Sequence, residues 1–183
     1  MSEEMLVRQC APTLAGIKTG SLFPCRYESE KELMSDIRAL NQMLVPKGLC
    51  MLPVRWGDGK ALLYVYRPQK LQRDLDDELA QKLLQNAGYP QGGSASCVSN
   101  LLKRLRSGAD FPHEIGLFLS YPPEDVDGFI RNNAERYKCA GLWKVYGDEA
   151  RAQKMFRDFK LCTADYCRHL HSGMRLEELV VAV

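Results

Sequence analysis

The sequence predicts a mixed α/β domain, with an α+β arrangement left open, in which one mixed sheet of about five strands is flanked by helices. Three observations carry this reading. β-rich runs alternate with helical stripes along the chain. Two adjacent runs are joined by Asp58-Gly59, a hairpin signal, and a hairpin makes the sheet mixed rather than purely parallel. No linker-like tract divides the 183 residues, which fit a single domain, residues 1–183.

The elements follow in order. Residues 4–11 read as a short helix stopping at Pro12, and Ser21–Tyr27 as a strand after a Gly-containing loop. Ser29-Glu30-Lys31-Glu32 has the form of a capping box. Leu33, Ile37, Leu40 and Leu44 then repeat at helical spacing until Pro46 and Gly48 end the stripe. Leu49–Arg55 and Lys60–Arg67 are the hairpin strands, because Asp-Gly supplies the positive φ that tight hairpin turns need.

Residues 69–86 read as one helix, with Leu71, Leu75, Leu79 and Leu83 on a face. Gly88–Gly93 is the clearest break in the chain, an ordered loop rather than a linker. Ser94 or Ser96 caps a helix that buries Val98, Leu101, Leu102 and Leu105 and stops at Gly108. His113–Tyr121 reads as a strand, with Ile115, Leu117 and Leu119 on one side. Pro122-Pro123-Glu124-Asp125 then opens a helix, since Pro suits a first turn and carboxylates there oppose the helix dipole. Cys139–Tyr146 reads as another strand, the stripe Ala152 to Leu170 as the last long helix, and Leu179–Val183 as an edge strand.

Bulk properties exclude several classes. With 45% hydrophobic and 26% charged residues the chain is globular, and a formal charge of +2 is too small to announce nucleic acid or an anionic membrane. The start Met1-Ser2-Glu3-Glu4 is acidic, unlike a signal peptide, and no apolar run approaches the ~20 residues that span a bilayer. A cytoplasmic protein is expected, with no membrane and no nucleic-acid partner. The seven cysteines are scattered without a CxxC pair, so they read as free thiols, mostly small core residues.

Several stretches carry a family resemblance. They are Cys10–Lys18 with Leu22-Phe23, Ala61–Pro68, Phe111–Leu119 with Tyr121–Val126, and Trp143–Asp148. Together they resemble a bacterial domain-of-unknown-function family, number 3793 in that series, found mainly in anaerobic Firmicutes. The likeness runs over essentially the whole chain. It implies a complete member in the cytoplasm of an anaerobe, where free thiols and oxygen-sensitive cofactors both fit. It brings no established activity, cofactor or catalytic residue.

Four places are candidates for chemistry, each with a plainer structural reading beside it. The first is the turn after His113–Tyr121, where Tyr121 stands ready to stack on a ligand. Glu124 and Asp125 would repel a phosphate there, and the plainer reading is a well-capped turn. The second is Cys10 with Thr13 and Lys18, a thiol whose pKa a lysine would lower, with His113 and Glu114 as the available base. Its plainer reading is a buried core cysteine. The third is Cys162, Cys167 and His171. Cys167 and His171 are one helical turn apart, but the spacing matches no zinc or iron–sulfur pattern, and no metal site is assigned. The fourth is the basic helical faces around Lys103-Arg104 and Arg151–Lys160, which read as solvated surface.

Walker A, GxGxxG, HExxH and GxSxG motifs do not occur in the chain. The best-supported function is a small-molecule or cofactor-binding accessory protein in anaerobic redox or metal metabolism, its cofactor unidentified. Aromatic and polar residues at element ends point to it: Tyr121, Glu124, Trp143, Lys144 and Tyr146, with Thr13 and Lys18 as further ligand-binding candidates. The alternatives are a protein-interaction module or homodimer, and a cysteine-dependent enzyme using Cys10.

Overall fold

The computed structural model describes residues 1–107 and 111–182. Its elements are α1 (Glu3–Leu14), β1 (Gly20–Arg26), α2 (Glu30–Leu44), β2 (Cys50–Gly57) and β3 (Lys60–Tyr66). There follow α3 (Pro68–Leu75), α4 (Glu78–Asn86), α5 (Ser94–Ser107) and a 3₁₀ segment (His113–Leu119). The chain then runs through α6 (Pro123–Arg131), β4 (Cys139–Ala140), β5 (Lys144–Val145), α7 (Glu149–His171) and α8 (Leu176–Leu179). Residues Met1–Gln69 with Phe159–Val183 form one compact unit, and Lys70–Asp158 forms a second.

The first unit is built on an antiparallel sheet of order β1-β3-β2. β3 is central and almost wholly buried, as its run Ala61-Leu62-Leu63-Tyr64-Val65-Tyr66 requires. The hairpin forms as predicted: Gly57 pairs with Lys60 across a two-residue turn, and Asp58 and Gly59 both take positive φ, 50° and 70°. Pro24 and Pro53 sit in the two edge strands, where a missing N–H costs no ladder bond. The register shifts between Pro53 and Arg55, leaving buried Val54 as the extra residue of a bulge. The Ser29 hydroxyl accepts from Glu32 N, so the predicted cap starts α2, whose Leu33, Ile37 and Leu44 are buried. Leu6, Val7, Cys10 and Leu14 of α1 join these side chains and Phe23, Leu63 and Val65 of the sheet in one core.

Arg67, directly after β3, is 2% exposed. Its Nε donates to Thr13 O at 2.7 Å, its Nη2 to Leu14 O and Val181 O at 2.7 Å each, and its Nη1 to Lys47 O at 3.3 Å. One guanidinium thus ties the end of α1, the turn after α2 and the C-terminal segment to the sheet.

In the second unit, apolar faces of α3, α4 and α5 supply Leu71, Leu75, Leu83, Leu84, Val98 and Leu101 as buried residues. Glu114, itself buried, accepts from Tyr89 Oη at 3.0 Å and from Arg104 Nη1 at 3.1 Å. The Arg104 guanidinium also lies 5.0 Å from the Tyr89 ring centroid. This network fastens the 3₁₀ segment to α5.

Several elements differ from the sequence reading, each for a local reason. The strands form a three-stranded and a two-stranded sheet, every pair antiparallel, rather than one mixed sheet. His113–Tyr121 is not a strand: Glu114 to Phe118 are buried in succession, and a short continuous apolar run fits a buried helical turn as well as a strand. Cys139–Tyr146 is broken into β4 and β5 by a reversal in which Gly141 N donates to Trp143 O at 3.0 Å. The helix expected over 69–86 is two, because Asp77 stops one and caps the next by accepting from Leu79 N and Ala80 N. α1 runs past Pro12 to Leu14, and the Pro12 carbonyl receives both Ile17 N and Lys18 N. The edge strand expected over Leu179–Val183 is replaced by α8 and one backbone bond, Val181 N to Leu14 O; Val183 and the helix end at Gly108 lie outside the described residues.

Arg67→Met removes four hydrogen bonds at once; Thr13 O and Leu14 O keep the backbone donors Gly16 N and Val181 N, and each buried polar group left unsatisfied costs about 1–3 kcal/mol. The expected loss is about 3 kcal/mol in urea denaturation of the full chain. Arg67→Lys restores less than half, because one ammonium cannot reach carbonyls of three separate segments. Losses of under about 1 kcal/mol for both variants would show that Arg67 does not hold the unit together.

Candidate functional site

The strongest candidate is a concave, mainly apolar groove in the second unit, of about 480 Å³. It is built where the 3₁₀ segment, the start of α6 and the β4–β5 hairpin meet. The chain leaves the 3₁₀ segment through Ser120, which adopts φ 67°, and Tyr121 N then donates back to Gly116 O at 3.0 Å. That reversal brings the Tyr121 ring over Gly116. A Cβ at Gly116 would lie 2.8 Å from both Tyr121 Cδ2 and Val126 Cγ2, so only glycine permits the close approach. Gly141 acts similarly on the hairpin, where a Cβ would lie 2.3 Å from Phe156 Cε2.

The ring system is continuous. Tyr121 stacks on Trp143 with centroids 4.7 Å apart and planes at 25°, and Phe156 meets Trp143 edge-on at 4.4 Å. On the other part of the lining, His113 lies 5.1 Å from Phe129 and 6.4 Å from Phe111. Trp143 is held by Asp125: its indole N–H donates to Oδ2 at 2.7 Å. Asp125 Oδ1 receives Tyr146 N and Gly147 N, both at 2.7 Å. This carboxylate, 2% exposed, therefore clamps the hairpin onto the first turn of α6. Burial pushes the Tyr121 phenol above its ordinary pKa.

The predicted residues divide between the two units. Tyr121, Trp143, Lys144 and His113 all line the groove. Lys144 directs its ammonium to Ala134 O at 2.7 Å and lies 4.7 Å from the Tyr137 ring. Glu124 is at the edge of the same region and pairs with Arg151 at 3.4 Å. Tyr146 packs on Gly128, and its buried hydroxyl has no hydrogen-bond partner among the described residues. Glu114 faces Tyr89 and Arg104 rather than the groove.

Cys10, Thr13 and Lys18 belong to the first unit. Cys10 is fully buried, and that burial pushes its thiol far above the ordinary cysteine range despite Lys18 and Ser21 beside it. Thr13 is equally buried and shares a hydrogen bond of 3.0 Å with the Ser21 hydroxyl. Burial pulls the Lys18 ammonium below its ordinary pKa, and its Nζ lies 5.9 Å from the Phe159 ring. These are the surroundings of a protonated core thiol, not of an activated nucleophile. Further along the chain, His171 lies 3.7 Å from Glu4, with Cys162 and Cys167 half-buried. Among the described residues no three His, Cys, Asp or Glu side chains converge to hold a metal ion.

Asp125, Phe129, Phe111, Gly116 and Gly141 were not legible as site residues. Asp125 carried a signal, a carboxylate in the first turn of a helix, but that pattern reads equally as dipole compensation. Two other concavities, of about 430 and 370 Å³, have more polar walls, around Glu28, Glu32 and Asp36 in the first unit and around Asp76, Gln81 and Gln85 in the second. No described helix is long and apolar enough to cross a membrane.

With the geometry in place, comparison with known proteins identifies the family. The chain belongs to the family described as Protein of unknown function (DUF3793), whose model matches residues 6–180. No curated protein and no solved structure matches the chain.

Two outcomes are expected from this geometry. When the native protein is alkylated with iodoacetamide at neutral pH and followed by peptide mass spectrometry, Cys10 is the last thiol modified; labelling as fast as at Cys139 or Cys167 would contradict its burial. Gly116→Ala overpacks the groove wall and lowers stability by about 1–3 kcal/mol in thermal unfolding. An unchanged transition would mean that Tyr121 and Val126 can move aside.

Proposed function

We propose that the protein binds a small molecule or cofactor with an apolar body in the aromatic groove of the second unit. One observation carries the reading: His113 of the 3₁₀ segment, Tyr121 of the turn after it, and Trp143 and Lys144 of the β4–β5 hairpin line one mainly apolar cavity of about 480 Å³. Such a volume, with aromatic walls and few polar groups, is what small-ligand sites share. The seven free cysteines support a reducing bacterial cytoplasm as the setting, and an accessory role in anaerobic redox or metal metabolism is consistent with it.

A second reading, an interaction module or homodimer, has one observation in its favour. Phe111 and Leu142 on the groove's rim are 55% and 44% exposed, and apolar side chains of this size in water favour a partner surface.

Anaerobic purification followed by native mass spectrometry and a UV–visible spectrum tests both. Mass in excess of the chain, lost in Tyr121→Ala, establishes the ligand-binding reading and names the ligand class. A colourless protein at chain mass, dimeric and returned to monomer by Phe111→Ser with Leu142→Ser, establishes the second. For a bound ligand, Tyr121→Ala is expected to weaken affinity about tenfold, the worth of one lost aromatic stack. The quenching of Trp143 fluorescence in a Trp56→Phe background measures it.

A further inference from the structure

We infer that the ligand of this groove carries a positive charge, an ammonium or other organic cation on an apolar body; the inference rests on the groove being a small-molecule site. Two charged side chains line the cavity, Asp125 and Lys144, and the structure treats them differently. Asp125 is buried against the groove and held by three N–H donors, none of them carrying a formal charge: the Trp143 indole and two backbone amides. Among the described residues it has no ion-pair partner. Its negative charge is spread over dipoles and not cancelled.

Lys144 offers no such balance inside the cavity. Its ammonium is bound to the Ala134 carbonyl at 2.7 Å and lies 4.7 Å from the Tyr137 ring, and neither of those residues belongs to the lining. The groove is thus furnished with the lysine's methylene stem while the charged head is engaged elsewhere. Much of the remaining lining is aromatic: Tyr121, Trp143, Phe129, Phe111 and the His113 ring. Ring faces carry the negative end of a quadrupole and attract cations, most strongly where water is excluded. An anion entering here would meet ring faces backed by the buried Asp125 carboxylate, with the one lysine ammonium already bound. A cation meets the ring faces with the Asp125 charge behind the Trp143 wall, and Lys144 is the one opposing charge among the lining side chains.

The test uses the full-length chain carrying Trp56→Phe, so that Trp143 is the sole indole, and three probes sharing one aromatic body. These are benzyltrimethylammonium, benzyl alcohol and phenylacetate, titrated by fluorescence and checked by ligand-observed NMR. Benzyltrimethylammonium is expected to bind at least about tenfold more tightly than benzyl alcohol, and phenylacetate most weakly, the scale of a desolvated cation–π contact. Asp125→Asn is expected to collapse that ratio toward one, and Lys144→Met to raise cation affinity by removing a nearby positive charge. Should Asp125→Asn fail to fold by circular dichroism, the unsubstituted series decides alone. Equal affinities, or phenylacetate the tightest, would overturn the charge assignment while leaving the groove a ligand site. No binding by any of the three would overturn the groove reading as well.

Discussion

In the first unit a buried guanidinium does what a longer hydrophobic core would otherwise have to do. Arg67 places four of its five N–H donors on carbonyls of Thr13, Leu14, Lys47 and Val181, segments far apart in sequence. Two of those carbonyls end α1, the negative pole of its dipole, so the cation is compensated by the backbone and not by a carboxylate. This arrangement constrains everything around it. The helix has to continue past Pro12 to present those carbonyls, and the C-terminal segment has to remain non-strand so that Val181 O points at the guanidinium. The chain therefore leaves α8 without adding an edge strand to the sheet.

The second unit uses the mirror device. Asp125 is a buried anion at the positive end of α6, and it too is satisfied by N–H groups rather than by an opposite charge. At Arg67 the end of α1 supplies two of the four acceptors, whereas at Asp125 all three donors come from residues 143–147 and α6 contributes only its dipole. The consequences differ. Around Arg67 the guanidinium is engaged by four backbone carbonyls, and the charge is used in closing the core. Around Asp125 the partners include an indole that forms the wall of a groove, so the residue that fixes the hairpin also sets the potential a ligand would meet.

How much was legible in the sequence follows the same division between local and distant causes. The Asp58-Gly59 hairpin and the Ser29 cap were legible because their determinants lie within a few residues and act through φ or one hydrogen bond. Tyr121, Trp143 and Lys144 were legible as candidates because aromatic and polar side chains at element ends stand out from apolar periodicity, and they line one groove. The 3₁₀ segment at His113–Leu119 was not: alternation along Ile115, Leu117 and Leu119 imitates a strand, and burial on both sides erases the difference. Arg67 lies within the run Tyr66-Arg67-Pro68 with nothing to mark it as buried, since its acceptors are backbone atoms of three segments. Asp125 was hidden similarly, its role depending on a hairpin some twenty residues onward.

The groove's own geometry argues that it is more than a packing defect. A cavity left by imperfect packing collapses where its walls can relax, because voids forfeit dispersion contacts. Here the walls carry features that each have a cost: a non-glycine residue in the left-handed region at Ser120, glycines at 116 and 141 that let Tyr121 and Phe156 pack against the backbone, and large apolar groups at Phe111 and Leu142 left in water. Any one of these is unremarkable on a protein surface. Their convergence on a single concavity, beside a buried carboxylate that fixes its aromatic wall, is what the proposed small-molecule reading draws on, because binding favours a shape already organised before the ligand arrives.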